Sequence, residues 1–149
     1  NLMSVAEQNE ALLEATQEVI VTIAERGSYE DLATLFCDLV RKRFGVELVA
    51  FYWCDAETDS EAVAVASHLL GNKNASSGPL RSHELNALFG EDKSEGSAAL
   101  ARLSTKSGGD AIIAVGSTDA VRYSIGDGTL FLEYLGKIIG SLPINRVSD

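Results

Sequence analysis

The side chains that could carry out catalysis or bind a metal ion are few in this 149-residue chain. Its two histidines, His68 and His83, are too few for a histidine-based metal cluster. Its two cysteines, Cys37 and Cys54, have neither a metal-ligand spacing nor a disulfide pattern, and Cys37 falls on a helix face expected to be buried. No Gly-x-Ser-x-Gly motif marks a nucleophilic serine. The sequence therefore predicts no catalytic residues, no metal site and a protein that is not an enzyme.

Polar and glycine residues between 116 and 129 form a second group that could bind a ligand. The segment Gly126-Asp127-Gly128-Thr129 precedes a predicted helix, whose N-terminal amides could bind an anion. It lacks the Lys-Ser/Thr pair of a phosphate loop, however, and Asp127 would repel phosphate. We therefore expect this segment to form the turn and cap that begin the helix.

Arg122, just upstream, could bind an anion or could have a structural role. The favoured interpretation is structural, with Asp119 capping a turn through backbone amides and Arg122 pairing with a carboxylate. These contacts would fix the connection from a strand to the helix. The whole turn motif consists of Gly116, Ser117, Asp119, Arg122, Tyr123, Gly126, Gly128 and Thr129.

Apolar residues at helical spacing predict the helices that position these groups. Capping residues and glycines mark where the helices begin and end. The predicted helices run from the N-terminus to Arg26, from a Ser28 N-cap to Phe44, from a Ser82 N-cap to Gly90, and from Leu130 to Leu142 before Pro143.

Four segments have the composition of strands. Val46–Cys54 is apolar on both faces, which favours a central strand, and Ala62–Ala66 predicts a strand that pairs with it as a hairpin. Ser97–Leu103 and Ala111–Gly116 are the other two, whereas Gly71–Arg81 has the Gly, Ser, Asn and Pro content of a loop. This order predicts an α+β fold, in which an antiparallel sheet carries the long helices on one face and the short helix and loops on the other.

The turn motif and the helix after it resemble the C-terminal part of GAF domains. They are more closely similar to the proteobacterial domain-of-unknown-function family four-eight-four, and residues 97–142 carry this resemblance. Tyr123 and Asp127 stand where that family often has phenylalanine and methionine. The resemblance implies a GAF-like sensor module of a bacterial signalling protein, with no established activity to transfer.

GAF domains typically hold a ligand between the sheet and the short-helix side, so the resemblance implies a site there. Such a site would be a concave apolar pocket with a few polar groups, and the alternative is a filled hydrophobic core. The identity of any ligand or cofactor is not indicated. The candidate pocket residues are Phe51, Trp53, Leu88, Phe89 and Ile113, with His68, Ser97 and Ser117 as hydrogen-bonding groups.

The N-terminal helix has a seam at alternating three- and four-residue spacing, which is typical of a coiled coil. Asn9 in this seam could fix the register of a homodimer, or the helix could pack within one chain and leave Asn9 exposed. The resemblance favours the dimer, with residues 1–27 as the end of a longer coiled coil and residues 28–149 as the GAF-like domain. The seam residues are Leu2, Val5, Asn9, Leu12, Thr16, Val19 and Ile23.

Composition narrows the range of partners. A formal net charge of -10 argues against nucleic acid and anionic membrane surfaces as partners. No segment has the roughly 20 apolar residues that span a bilayer and no signal peptide is evident, so a cytoplasmic location is expected. The first hypothesis is a non-enzymatic GAF-like sensor or regulatory module that binds a small molecule and dimerises. The alternative is a ligand-free scaffold for dimerisation or protein interaction.

Overall fold

A computed structural model describes residues 29–54, 61–104 and 110–123, together with positions 14, 17–18, 21, 25, 132–133, 136–137 and 140. The isolated positions before residue 29 and after residue 131 are helical. The longer ranges contain α1 Tyr29–Phe44, β1 Leu48–Trp53, α2 Glu61–Leu70, β2 Ala75–Arg81, α3 Ser82–Phe89, β3 Glu95–Ser104 and β4 Asp110–Ser117. All pairings in the sheet are antiparallel, so the predicted α+β class with an antiparallel sheet is confirmed.

The four strands lie in the order β1-β4-β3-β2. Leu48 is opposite Gly116, Ser97 is opposite Ser117, and Gly78 is opposite Ala98. β1 was expected in the centre of the sheet, but in the described sheet it pairs with β4 alone and lies at an edge. Its apolar character on both faces arises because helices cover both of them, with α1 on one side and α2 and α3 on the other.

The sheet separates two hydrophobic clusters, as expected when successive residues of a strand point to opposite faces. On the first face, Phe36 of α1 packs edge-on against Phe51, with ring centroids 5.6 Å apart, and the buried helical residue Leu132 belongs to the same cluster. On the second face, Leu70 of α2 and Leu85 of α3 pack against Leu100 and its neighbours. The first face therefore carries α1, and the second face carries the two shorter helices.

The expectation of a strand at Ala62–Ala66 is wrong, because this segment lies inside the helix α2. Alternating alanine and valine is compatible with either structure, since alanine is the best helix former. Ala66 and Leu70, four residues apart, are both buried against the second face, and Glu61 supplies an acidic first turn. Burial of Ala66 and Leu70 at this four-residue spacing favours the helix over a strand.

The expectation of a loop across Gly71–Arg81 is also wrong in its second half, which forms β2. Ser, Gly and Pro are poor strand formers, but β2 pairs along its whole length with the buried strand β3. In the described sheet β2 lies at an edge, where a proline is tolerated because it removes no bond from the ladder. Only residues 71–74 form the turn.

The helix α3 follows β2 without a linker and differs from its prediction in one detail. Arg81, not Ser82, occupies the N-cap position, and its backbone N–H donates to Glu84 Oε1 at 2.8 Å. Glu84 therefore satisfies a donor at the junction between the strand and the helix. The helix ends at Gly90, which has a φ of +72° and a backbone N–H bonded to Asn86, as the glycine predicted.

A substitution of Gly96 tests how closely β3, β4 and α3 are packed. A Cβ at this position would lie 2.5 Å from the carbonyl oxygen of Ser117 and 2.9 Å from a methyl carbon of Leu85. We expect Gly96→Ala to lower the free energy of unfolding by about 1–3 kcal/mol, because the backbone of β4 cannot retreat. Urea unfolding measures this change.

Gly136→Ala is the matched control. A Cβ there would lie 3.4 Å from Leu103 Cβ, an ordinary contact, and alanine favours the helical conformation of this position. The change in unfolding free energy should stay within about 0.5 kcal/mol or be stabilising. Equal losses in the two variants would contradict the packing described for Gly96.

Candidate functional site

The structure does not bring the candidate pocket residues into one site. Phe51, Trp53 and Ile113 lie in the cluster on the first face, whereas Leu88 and Phe89 lie on the second face. The sheet itself therefore stands between the two groups. The prediction grouped them because the sequence does not show which side chains of β1 and β4 lie on the face that the short helix covers.

Ser97 and Ser117 face each other across the β3–β4 pair and both serve the turn that follows β4. Ser97 Oγ donates to the carbonyl oxygen of Asp119 at 2.6 Å and accepts from the Tyr123 backbone N–H at 3.0 Å. Ser117 Oγ accepts from the Asp119 backbone N–H at 3.0 Å. Both hydroxyls are buried and occupied by these bonds, so their contacts are structural.

The turn from 117 to 123 is held by Asp119 from both its side chain and its backbone. Asp119 Oδ1 accepts from the Val121 N–H at 3.0 Å, and its carbonyl oxygen accepts from the Arg122 N–H at 3.2 Å. The guanidinium carbon of Arg122 lies 4.7 Å from the centroid of the Tyr123 ring, a cation–π contact where pairing with a carboxylate was expected. The remaining motif residues, Gly126, Gly128 and Thr129, lie outside the described residues.

Glu47 completes this turn and was missed from the sequence. Its Oε1 accepts from Ser117 Oγ at 2.8 Å and from the Thr118 backbone N–H at 3.0 Å, while Oε2 accepts from Thr118 Oγ1 at 2.9 Å. The bond from the Thr118 backbone, followed by those from the two hydroxyls, lowers the pKa of Glu47. The register that places Leu48 opposite Gly116 brings Glu47 beside Ser117, and this register could not be read from the chain.

The packing around Gly116 explains why the first residue of the motif is a glycine. A Cβ at this position would lie 2.5 Å from the Phe89 ring. The ring of Phe89 therefore rests directly on the β4 backbone, and α3 sits closer to the sheet than any side chain at 116 would allow. Phe89 is used in this contact and does not line the concave surface described next.

Two adjoining depressions lie along α2 and β2, and together we term them the α2–β2 groove. They share Leu69, Pro79 and Leu80. The apolar end has a volume of about 230 Å³, and the polar end about 490 Å³. The apolar end is further lined by Ser76, Ser77, Gly78, Ala98 and Leu100, and the polar end by His68, Arg81 and Glu84. Of the candidate pocket residues, His68 alone lines this groove.

Arg102 fixes the turn that joins the two walls of the groove. Its backbone N–H donates to the Asn74 carbonyl at 2.8 Å, Nε to the Lys73 carbonyl at 3.2 Å, and Nη2 to the Gly71 carbonyl at 2.9 Å. Its guanidinium thereby bonds carbonyls just beyond the C-terminal end of α2, where a positive charge is favourable. Arg102 thereby ties the turn between α2 and β2 to the neighbouring strand β3.

The cysteines lie outside the groove. Burial raises the pKa of the Cys37 thiol to about 11, so this thiol is protonated at neutral pH. Cys54 Sγ is 4.0 Å from the Tyr52 carbonyl oxygen. In the part of the chain that the structure describes, no group of three His, Cys, Asp or Glu side chains could hold a metal ion.

The predicted coiled-coil seam cannot be placed, since Leu2, Val5, Asn9, Leu12, Thr16, Val19 and Ile23 all lie outside the described residues. Five neighbouring positions are described and are helical. Of these, Glu14, Gln17, Val21 and Glu25 are exposed, and Glu18 is half-buried. No described helix is both long enough and apolar enough to cross a membrane.

These features define an α+β domain with a four-stranded antiparallel sheet, a hydrogen-bonded turn after its last strand and a groove beside its β2 edge. A family model described as "Protein of unknown function, DUF484" matches residues 1–147, so the chain belongs to this family. The resemblance to that family drawn from the turn motif is thereby confirmed. No curated protein matches the chain.

Glu47 gives a pH-dependent prediction for the turn. Its pKa is lowered in the folded state from an ordinary value of 4.5, so the ionised carboxylate stabilises the fold above that value, and the stabilisation is lost as the pH falls through the lowered pKa. We expect Glu47→Gln to cost no more than about 1 kcal/mol at neutral pH, because the carboxylate is exposed and water competes for it.

Urea unfolding of wild type and Glu47→Gln at neutral pH and at about pH 3 measures this difference. The two proteins should differ at neutral pH, and the difference should become smaller at the acidic pH. Asp92→Asn, an exposed carboxylate after α3, is the control and should change little at neutral pH. A Glu47→Gln deficit that is the same at both pH values would contradict the assigned hydrogen bonds.

Proposed function

We propose that this chain is a non-enzymatic regulatory domain that binds a small molecule in the α2–β2 groove and dimerises through its N-terminal helices. The observation that carries the binding proposal is the arrangement of the groove, in which an apolar end adjoins a polar end. Small-molecule sites are typically concave and mainly apolar, with a few polar groups that fix orientation.

The size of the apolar end supports this proposal. It is an open depression of about 230 Å³. Leu69 forms one wall, and Ala98 and Leu100 of β3 contribute to the lining beside it. An aromatic ring or a short branched chain would fit here. The larger polar end leaves room for a head group with hydrogen-bonding atoms.

The walls of the groove give a route from binding to regulation. Leu80, Ala98 and Leu100 line the groove and also belong to the cluster on the second face, which contains Leu70 and Leu85 of the two short helices. A ligand that fits one spacing of α2 and β2 better than another would shift the protein toward that spacing. The α2–β2 turn held by Arg102 is the element whose position such a ligand would bias.

The groove can be tested by filling it. Ser76 is half-buried and opposite Leu100, so Ser76→Leu should place an apolar side chain over the apolar end. Native mass spectrometry of the purified protein should show a noncovalent added mass on wild type that Ser76→Leu lacks. Ser94→Leu adds the same side chain at an exposed position before β3 and should retain the added mass.

Two results would count against the binding proposal. An added mass that Ser76→Leu keeps in full would place the ligand elsewhere. A clean spectrum without any added mass, even after incubation with a cell extract, would favour the alternative of a ligand-free scaffold.

The dimer proposal is supported by the described positions of the N-terminal segment. Glu14, Gln17, Val21 and Glu25 follow three- and four-residue steps, so on an α-helix they form one stripe, and this stripe is exposed. The seam position Thr16 is two residues from Glu14, which places it about 200° around the helix. The proposed dimer would pair through the opposite side of such a helix, where the sequence places its apolar seam.

Light scattering coupled to size exclusion tests the dimer. We expect wild type at twice the chain mass, and Leu12→Glu with Val19→Glu at the mass of one chain, because charges in a seam oppose pairing. Val21→Glu is the matched control on the exposed stripe, where Val21 is 55% exposed, and should remain a dimer. A monomeric wild type, or a seam variant that stays dimeric, would overturn this part of the proposal.

A further inference from the structure

We infer that the ligand of the α2–β2 groove is a small amine, with one positively charged nitrogen attached to an apolar group. This inference rests on the proposed function and specifies the chemistry of the ligand at the same site. It follows from which side chains of β2 face the groove and from the position of the Glu84 carboxylate.

The register of β2 decides which of its side chains face the groove. Leu80 belongs to the cluster on the second face, and Ala75 packs against the cluster on the first face. The pairing with β3 is continuous from Ala75 to Arg81, so successive side chains of β2 alternate between the two faces. Ser76 and Gly78 therefore lie on the face of Leu80. Arg81 lies on the face of Ala75, so its guanidinium is directed away from the groove.

The apolar end suits the uncharged part of a ligand. None of the residues that the structure places along it is charged. Leu69, Leu80, Ala98 and Leu100 supply apolar surface, and the half-buried Ser76 adds one hydroxyl on the same face. An ionised group placed here would lose water without meeting an opposite charge. The charged group of a ligand therefore belongs at the other end of the groove.

Glu84 supplies a charge at the polar end. Its Oε1 accepts from the Arg81 backbone N–H at 2.8 Å, so the carboxylate is held at the junction of β2 and α3, where both residues line the groove. An ionised carboxylate is an acceptor with two oxygens, which leaves Oε2 able to accept from a ligand. The matching donor is an ammonium group, because its hydrogen bonds to a carboxylate are charge-assisted.

The charges around the polar end favour a cation over an anion. A carboxylate or phosphate would be repelled by Glu84, and the guanidinium of Arg81 lies on the other face of β2. His68, which also lines this end, is exposed and has nitrogens that can take part in hydrogen bonds. The net charge of -10 adds a longer-range attraction for cations.

The edge of β2 argues against an extended peptide as the occupant. The Arg81 N–H points away from β3, since it donates to Glu84, and backbone groups two residues apart in a strand face the same way. The missing N–H of Pro79 is therefore on the outer side as well. An added strand would find one donor absent and the next already bonded, a pattern that protects an edge from pairing.

Calorimetric titration with three probes of similar shape tests the ligand class. Phenylbutylamine, phenylbutanol and phenylbutyrate carry the same apolar group with a positive, a neutral and a negative head group. The titration is done at about pH 8, where histidine side chains are ordinarily uncharged. We expect wild type to bind phenylbutylamine about fivefold more tightly than phenylbutanol, as an ion pair with a partly exposed carboxylate would produce, and to bind phenylbutyrate most weakly.

Two matched variants assign this preference to one carboxylate. Glu84→Gln should abolish the preference for the amine, because glutamine keeps an oxygen that can accept from the Arg81 N–H but removes the charge. Asp92→Asn makes the same change of charge at an exposed position outside the groove lining and should keep the preference. A preference that Glu84→Gln retains in full would overturn the inference.

The outcomes separate this inference from the proposed function. If phenylbutylamine and phenylbutanol bind wild type equally well and Ser76→Leu abolishes the binding of both, the groove binds ligands and the amine assignment is wrong. If phenylbutyrate binds most tightly, or phenylbutylamine does not bind wild type, the amine assignment is also wrong. If phenylbutylamine binds Ser76→Leu as well as wild type, the groove is not its site and the proposed function fails with the inference.

Discussion

Burial of β3 and β4 on both faces is the constraint on which the other described contacts depend. From Gly96 to Ala101 and from Ala111 to Ser117 every residue is buried, so over these residues neither strand has a face that contacts water. Many of these residues are alanine, and the small side chains let helices approach the sheet closely on both sides. Gly116 continues this pattern to the end of β4, where only a glycine leaves room for the Phe89 ring.

Close packing at the end of β4 requires the chain to leave the sheet without unpaired buried polar groups. Ser97 and Ser117 meet this requirement, because each hydroxyl bonds the turn that follows and each is buried. Glu47, in the α1–β1 connection, also accepts hydrogen bonds from this turn. These bonds join residues that are about 70 positions apart in the chain. The two serines and Asp119 of the turn motif are therefore explained by hydrogen bonds that satisfy the backbone, and Gly116 is explained by its contact with the Phe89 ring.

The parts of the fold that could be predicted are those where local pattern and tertiary burial agree. The helix from 29 to 44, the short helix ending at Gly90 and the strands β3 and β4 have strong periodicity or continuous apolar runs. Prediction failed for α2 and β2, where the local sequence pattern and the tertiary contacts disagree. The alternating Ala-Val run is helical because the helix buries Ala66 and Leu70. The Ser-Gly-Pro segment is a strand because it pairs with β3. These two elements line the α2–β2 groove, so the proposed site could not be predicted from the sequence. Only His68, among the residues proposed for a pocket, was near its true neighbours.

The sheet separates the two hydrophobic clusters, and this separation restricts how a ligand on one face could affect the other face. A ligand in the α2–β2 groove would contact side chains of the second face, such as Leu100, whereas α1 packs on the first face through Phe36. No side chain of β3 or β4 reaches both faces, since successive residues point in opposite directions. Coupling between a ligand on the second face and α1 on the first face would therefore require whole helices or strands to move. Close packing opposes a gradual deformation of the two central strands, β3 and β4. α2 and the edge strand β2 carry the groove, and Arg102 bonds the turn between them from β3. If the proposed ligand binds in the groove, its effect would act through the position of α2 and β2 against the sheet, where Arg102 bonds the turn between them.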